Sequence, residues 1–186
     1  MKLVIFKSMI NICQHIMVIF LVSAFVSSNV MAVNIPVKLS GIVHVPPCVV
    51  NNGENINIFF GDISVSDVSN ERNIRKMTIP VTCEYSQGTA YVKVTGPKLG
   101  SNINVLATNV AHFGIALFQG DGTAIKLVLG EGKASGTGTI GYPVTSGISG
   151  QGKGTFTFTA VPFKDGSFDL NAGEFTASAN MQITYL

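Results

Sequence analysis

The sequence predicts an all-β protein, an antiparallel β-sandwich of immunoglobulin-like type, on three observations. Short runs of β-branched, aromatic and aliphatic residues recur between turn signals, and no long stretch has helical periodicity. Near the C-terminus, residues 174–185 alternate apolar and polar side chains without a break. This alternation places every odd side chain on one face of a strand. Seven or eight short strands in about 150 residues are typical of such a sandwich.

The predicted strands are separated by turns rich in glycine, asparagine and aspartate, which allow the backbone to reverse. Residues 130–154 contain nine glycines. Because glycine loses the most backbone entropy on folding, we expect a mobile connection or an irregular edge strand there. We predict strands near residues 42–45, 56–60, 77–83, 90–95, 113–118, 125–129, 155–161 and 175–185.

The N-terminus has the features of a secretory signal peptide. Lys2 and Lys7 precede an apolar run, and Ala32 supplies the small residue at which such signals are cleaved. A membrane-spanning helix is the alternative, since residues 9–26 approach the length of about 18 apolar residues that a span requires. Polar residues interrupt that run in its first half. We therefore predict a signal peptide over residues 1–32 and one exported domain of 154 residues.

The charge of the exported chain is balanced. Without Lys2 and Lys7 it carries ten basic and ten acidic residues, so its formal net charge is zero. Nucleic acids and anionic membranes require a clustered basic surface, and this balance argues against both as partners.

Cys48 and Cys83 are the only cysteines beyond the predicted signal peptide. Two cysteines in an oxidising compartment predict one disulfide. A metal or redox pair is the alternative, but there is no CxxC spacing, and only His44 and His112 remain as further soft ligands. We predict no metal site.

Motifs of catalysis and nucleotide binding fail on their context. A GxGxxG pattern at 136–141 is followed by Tyr142-Pro143, where a dinucleotide site needs a helix. His112 is the natural candidate for a general base, yet it directly precedes a predicted strand, and neither GxSxG nor HExxH occurs. We expect no catalytic residues, no cofactor and no small-molecule substrate.

A second alternating run follows the predicted cleavage site, with Ile35, Val37, Leu39, Gly41 and Val43 at odd positions. It has two interpretations. It could be the first strand of the sandwich, with the glycine at a bulge. It could instead be a strand that is unpaired in its own molecule and available to a partner.

Four features occur together in this chain: Tyr185 next to the C-terminus, Gly173 fourteen residues from the end, the two cysteines, and an N-terminal arm with a central Gly41. Together they resemble the pilins that are assembled by the chaperone–usher pathway. Internal segments are similar, more narrowly, to the adaptor subunit of P-pilus tips. These segments are GIVHVPPC (41–48), NNG (51–53), VLATN (105–109), HFGIAL (112–117) and TFTFTAVPF (155–163).

The resemblance implies an incomplete immunoglobulin-like sandwich over residues 45–186, with six strands of its own and a groove in place of the seventh. A strand donated by a periplasmic chaperone, and later by a neighbouring subunit, fills that groove by β-augmentation. Residues 33–44 would be the donor-strand extension, inserting Ile35, Val37, Leu39, Gly41 and Val43 into a neighbour. The acceptor groove and chaperone-binding end would comprise Gly173, Phe175, Ala177, Ala179, Met181, Ile183, Tyr185 and Leu186.

The resemblance also implies a role and a place. The chain would bind the periplasmic chaperone and then an outer-membrane usher on its way to the bacterial cell surface. There it would join a tip adhesin to the rest of the pilus tip and support adhesion. The alternatives are a major rod subunit, which would share the fold, and an adhesin, which would need a further lectin domain. Pro36 cannot donate a ladder hydrogen bond, so the inserted segment would begin at Val37 and leave Ile35 as the least secure contact.

Overall fold

The computed structural model describes residues 33–136, 138–148, 150 and 152–186. The predicted signal peptide, residues 1–32, lies outside the described residues. The chain divides into two units, Met1–Gly41 and Ile42–Leu186. In the first unit, residues 33–41 form no regular secondary structure and are exposed.

The second unit is built from short antiparallel strands and two single-turn 3-10 helices, Asn51–Gly53 and Glu71–Asn73. Among the described residues, no helix has the length and apolar character needed to cross a membrane. The strands are β1 (Val49–Val50), β2 (Arg75–Thr82), β3 (Ala90–Thr95), β4 (Val105–Ala107), β5 (Phe113–Gln119), β6 (Ile125–Lys126), β7 (Ala134–Ser135), β8 (Gly138–Thr139), β9 (Tyr142–Pro143), β10 (Lys153–Lys164) and β11 (Asn180–Tyr185).

Two sheets form the body of the domain. The larger has the order β1-β2-β10-β5-β4, with β6 also paired to β5, and the smaller has the order β11-β3-β9. The long strand β10 lies at the centre of the larger sheet, pairing with β2 through residues 153–160 and with β5 through residues 158–164. Strands β7 and β8 form a separate two-stranded ribbon.

One hydrophobic core joins the two sheets, and this arrangement confirms the predicted all-β sandwich. The disulfide between Cys48 and Cys83 is present, with an S–S distance of 2.05 Å, and joins the residue before β1 to the residue after β2. Core side chains of the larger sheet are Ile79, Val81, Phe113, Ile115, Leu117, Phe156 and Phe158, and those of the smaller sheet are Val92, Val94, Ile183 and Tyr185.

Several predicted strand boundaries are wrong. Residues 42–45 form no strand, and residues 42–44 are exposed. The predicted strand 125–129 ends at Lys126, and the predicted strand 175–185 begins only at Asn180. The short strand β4 was not predicted, because a run of three residues is too short to display a period.

The glycine-rich segment, residues 130–154, contains the short strands β7, β8 and β9. Of the two structures expected there, a mobile connection or an irregular edge strand, the structure shows the second. Its glycines allow backbones to approach closely. A Cβ atom on Gly132 would lie 2.0 Å from the carbonyl oxygen of Gly141, and one on Gly141 would lie 2.0 Å from that of Val92. No other residue type fits at either position.

Candidate functional site

An open cleft of about 780 Å³ lies on the second unit between two segments that form no strand. We call residues 54–60 the first wall and residues 174–179 the second wall. Apolar side chains from both sides and from the loop before β5 form most of the lining. The lining residues are Ile58 to Ile63, Val65, Val68, Val110, Phe113 and Leu170 to Thr176.

The first wall has the side-chain pattern of a strand but pairs with no strand in the described part of the chain. Ile56, Ile58 and Phe60 are half-buried, while the residues between them are exposed. Phe59 is 85% exposed. The predicted strand 56–60 is therefore wrong as an assignment of secondary structure. Its period of two reports alternate faces, but no strand among the described residues supplies hydrogen bonds to it.

Arg75, the first residue of β2, holds the end of the first wall. Its Nε donates to the carbonyl oxygen of Phe59 at 3.0 Å, and its NH2 group donates to that of Phe60 at 2.5 Å. The guanidinium carbon also lies 5.7 Å from the centre of the Phe60 ring. In a regular strand, the carbonyl groups of successive residues point to opposite edges. Here the carbonyl oxygens of Phe59 and Phe60 accept from the same guanidinium, so the extended conformation ends at this point.

The second wall leads directly into β11 and is held by Asn109. The Asn109 Oδ1 accepts from the backbone N–H of Thr176 at 2.7 Å, and Nδ2 donates to the carbonyl oxygen of Glu174 at 3.1 Å. The Asn109 backbone N–H donates to the carbonyl oxygen of Thr176 at 3.3 Å. One asparagine thus takes the place of a neighbouring strand along this stretch.

The register of β11 shows which edge of the second wall is open. Leu186 and Thr89 exchange two backbone hydrogen bonds. In this register the backbone N–H and C=O groups of the even-numbered residues of β11 point toward β3. The carbonyl of Ile183 points the other way and accepts from Cys48. In the same direction, Phe175, Ala177 and Ala179 form no backbone hydrogen bond to any described residue. The second wall therefore presents an unpaired strand edge.

Aromatic rings connect the two walls across the cleft. The ring centroids of Phe60 and Phe175 are 6.0 Å apart, and Phe175 meets Phe113 edge to face at 4.8 Å. Phe113 is only 4% exposed, whereas Phe60 and Phe175 are half-buried. The floor of the cleft is therefore apolar, and the second wall beside it presents the unpaired strand edge.

The predicted acceptor residues occupy different environments. Gly173 and Phe175 line the cleft. Met181 is half-buried, and Ala177, Ala179 and Leu186 are exposed. Ile183 and Tyr185 are 0% and 1% exposed, so both side chains belong to the closed core.

The predicted donor residues lie outside any packed core. Ile35, Val37, Leu39 and Val43 are all more than three-quarters exposed. Gly41 has no atom within 4 Å of the position of a Cβ. Sequence reasoning did not find Arg75, Asn109 or Phe113 as parts of the site, since no spacing motif connects them.

The only resolved pKa shift among the described residues lies away from the cleft. The hydroxyl of Thr139, which donates to Glu131, and then the charge of Lys93 lower the pKa of Glu131 below its ordinary value of 4.5. Within the part of the chain that the structure describes, no cluster of three or more His, Cys, Asp or Glu residues could hold a metal ion.

Comparison with known proteins places this geometry in a family. The family model described as fimbrial protein matches residues 37–186. The chain is 42% identical to the fimbrial adapter PapF of Escherichia coli over 165 residues, which is 88% of this chain and 95% of that protein. It is 41% identical to the minor fimbrial protein PrsF of Escherichia coli, with the same coverage.

Solved structures agree. The P pilus adaptor subunit PapF matches with a TM-score of 0.54 and 40% identity, covering 77% of this chain and 98% of that one. The P pilus rod subunit PapA matches with a TM-score of 0.56 and 22% identity, covering 76% of this chain and 100% of that one, which shows the shared fold alone. The chain therefore belongs to the fimbrial protein family, as the resemblance in its sequence predicted.

Proposed function

We propose that this chain is a minor pilus-tip subunit that joins a tip adhesin to the rest of the tip, accepting one donated strand and donating another. The observation that carries the proposal is the open cleft between two unpaired walls. A sandwich with one strand too few has an exposed core, and an incoming strand supplies both the missing side chains and the missing ladder.

The acceptor half of the proposal follows from the open edge of the second wall. A strand lying in the cleft would pair with the free backbone of Phe175, Ala177 and Ala179, and its alternate side chains would rest on Phe60, Phe113 and Phe175. This is β-augmentation, in which backbone hydrogen bonds supply pairing and pockets for alternate side chains supply specificity.

The donor half rests on residues 33–44. Burying four aliphatic side chains is worth roughly 6 to 12 kcal/mol gross, at about 1.5 to 3 kcal/mol each. Net domain stability is only about 5 to 15 kcal/mol. A subunit with an empty cleft would therefore be marginally stable, and the donated strand is in effect part of its fold.

The route to the pilus requires three successive partners. A periplasmic chaperone fills the cleft first, an outer-membrane usher receives the complex, and the arm of a neighbouring subunit then replaces the chaperone strand. Export through the signal peptide at 1–32 places Cys48 and Cys83 where a disulfide forms. The role at the cell surface is structural and supports adhesion.

The adaptor role is favoured over that of a rod subunit by the relatives. Identity is 41–42% to the adapter and the minor subunit over 88% of the chain, against 22% to the rod subunit.

Co-expression with and without a cognate periplasmic chaperone tests the proposal. We expect soluble chain only with the chaperone, in a complex that survives purification. A chaperone with aspartates on the apolar face of its donated strand is the matched control and should give no complex. A stable soluble monomer of residues 45–186, expressed alone, would refute the proposal.

A further inference from the structure

Each wall of the cleft is held in place by a side chain from a distant part of the chain. Arg75 holds the end of the first wall that lines the cleft, and Asn109 holds the second wall. Asn51 bonds two backbone carbonyls at the other end of the first wall, residues 54–55. The hydrogen bonds of Arg75 and Asn109 go to backbone groups, so these bonds do not depend on the identity of the wall residues. Neither side chain is among the residues that line the cleft.

We propose that Arg75 and Asn109 are positioning residues that keep the two walls open and in register before a strand enters. The inference rests on the proposed strand-accepting function and adds to it the groups that prepare the cleft. Such preparation lowers the ordering cost that an incoming strand would otherwise meet.

The guanidinium of Arg75 is a bridge between the larger sheet and the first wall. Its NH1 group donates to the carbonyl oxygens of Arg72 at 2.7 Å and Ile74 at 3.0 Å, at the entry to β2. The remaining two bonds go to Phe59 and Phe60, so four of five N–H donors are used. A lysine ammonium is a point charge and cannot span both groups of acceptors.

Asn109 binds the second wall through the edge opposite to the one that has no backbone partner among the described residues. Its three hydrogen bonds engage only the even-numbered residues Glu174 and Thr176. The odd-numbered backbone groups stay free on the other edge. Asn109 therefore fixes the wall in an extended conformation without consuming the edge that a donated strand needs.

The hydrogen bonds of Arg75 and Asn109 to the walls should matter most while the cleft is empty. Once a strand is bound, its own backbone hydrogen bonds and side chains hold both walls, so the bonds of Arg75 and Asn109 become partly redundant. Their loss should therefore slow strand entry more than it weakens the completed fold. A purely structural role predicts the opposite balance, with stability lost in the completed fold as well.

The experiment follows strand entry directly. The oxidised chain, residues 33–186, is unfolded in urea and diluted into an excess of a fluorescent peptide with the sequence of the strand that a cognate periplasmic chaperone donates. We expect Arg75→Gln and Asn109→Ala to slow formation of the complex about tenfold, equivalent to ~1.4 kcal/mol in the barrier. Arg75→Lys should remain slow. The purified complexes of all three variants should melt close to the wild-type complex.

Matched controls are available in the same chain. Arg72→Gln changes the other arginine, which pairs with Asp67 at 2.9 Å, and Asn102→Ala removes a side-chain bond to the carbonyl of Leu99. The peptide should enter the cleft of both control variants at the wild-type rate. Wild-type rates in the Arg75 and Asn109 variants, or complexes that melt much lower, would overturn this inference alone. Failure of the wild-type chain to take this chaperone-strand peptide would overturn the proposed function with it.

Discussion

The donor arm gives the sharpest test, because its two faces can be perturbed separately. Val37 and Leu39 are 79% and 90% exposed in the isolated chain, so nearly all of their apolar surface is available for burial in a neighbour. We expect Val37→Asp and Leu39→Asp to block linkage to the neighbouring subunit. Chaperone binding should survive, since on the proposed function the chaperone occupies the cleft and not the arm.

The size of the effect follows from these exposures. Burial of one such side chain is worth about 1.5 to 3 kcal/mol, and roughly 2 kcal/mol of lost burial alone weakens binding about 30-fold. An aspartate also has to leave water for an apolar cleft without a partner, at a further cost of at least 1 to 3 kcal/mol. Together these predict a loss of at least about 100-fold in subunit linkage for either variant.

The assay is co-purification of the subunit pair from cells that express chaperone and usher, with the chaperone complex measured in parallel. Ser40→Asp is the matched control, because it adds the same charge to the opposite face of the arm and should link normally. Normal linkage by Val37→Asp and Leu39→Asp would refute the donor assignment. Equal failure of Ser40→Asp would show that charge, and not burial of one face, decides the outcome.

Three further predictions concern stability. Replacing Cys48 and Cys83 by alanine opens a loop with a sequence separation of 35 and should lower the free energy of unfolding of the chaperone-free, strand-filled protein by about 4 kcal/mol in the chain-entropy model, measured in urea. Gly88→Ala should reduce the chaperone-bound yield, because Gly88 has φ of +88° and a Cβ there would lie 2.5 Å from the carbonyl oxygen of the C-terminal residue. Thr139→Val should raise the pKa of Glu131 toward 4.5, measured by NMR titration. Because folding lowers this pKa, the stabilisation by Glu131 is present above pH 4.5 and is lost as the pH falls through the folded value, and the variant should keep only the part of that acid dependence that Lys93 causes.

Strands that find their partners within the chain could be predicted from the sequence. The run Ala90 to Thr95 was predicted with the boundaries that β3 has, and β2, β5 and β10 differ by a few residues at their ends. The two walls could not be predicted in the same way. Their alternation is real, but hydropathy reports which face is buried and says nothing about whether a neighbour is present to pair.

The contacts of Arg75 and Asn109 leave no trace in the local sequence. Both side chains bind backbone carbonyls, which every residue carries, at separations of 15 to 16 residues for the wall contacts of Arg75 and 65 to 67 for Asn109. A pattern of residue types cannot encode such a contact. The aromatic floor is hidden for a related reason, because Phe60, Phe113 and Phe175 come from three distant segments that only the fold brings together.

The buried C-terminal side chains change how the chaperone-binding end should be tested. Because Tyr185 is 1% exposed, its replacement by alanine would remove a core ring and destabilise the sandwich by about 3 to 5 kcal/mol before any loss of recognition. A fall in chaperone-bound yield would then report folding and recognition together. A change of the Leu186 side chain separates folding from recognition, since that side chain is exposed while the backbone of Leu186 is held by Thr89. The same division runs along the whole C-terminal segment. Ile183 and Tyr185 close the core from within, and the odd-numbered backbone of 175–179 forms an edge with no partner among the described residues, which on the proposed function another chain's strand completes.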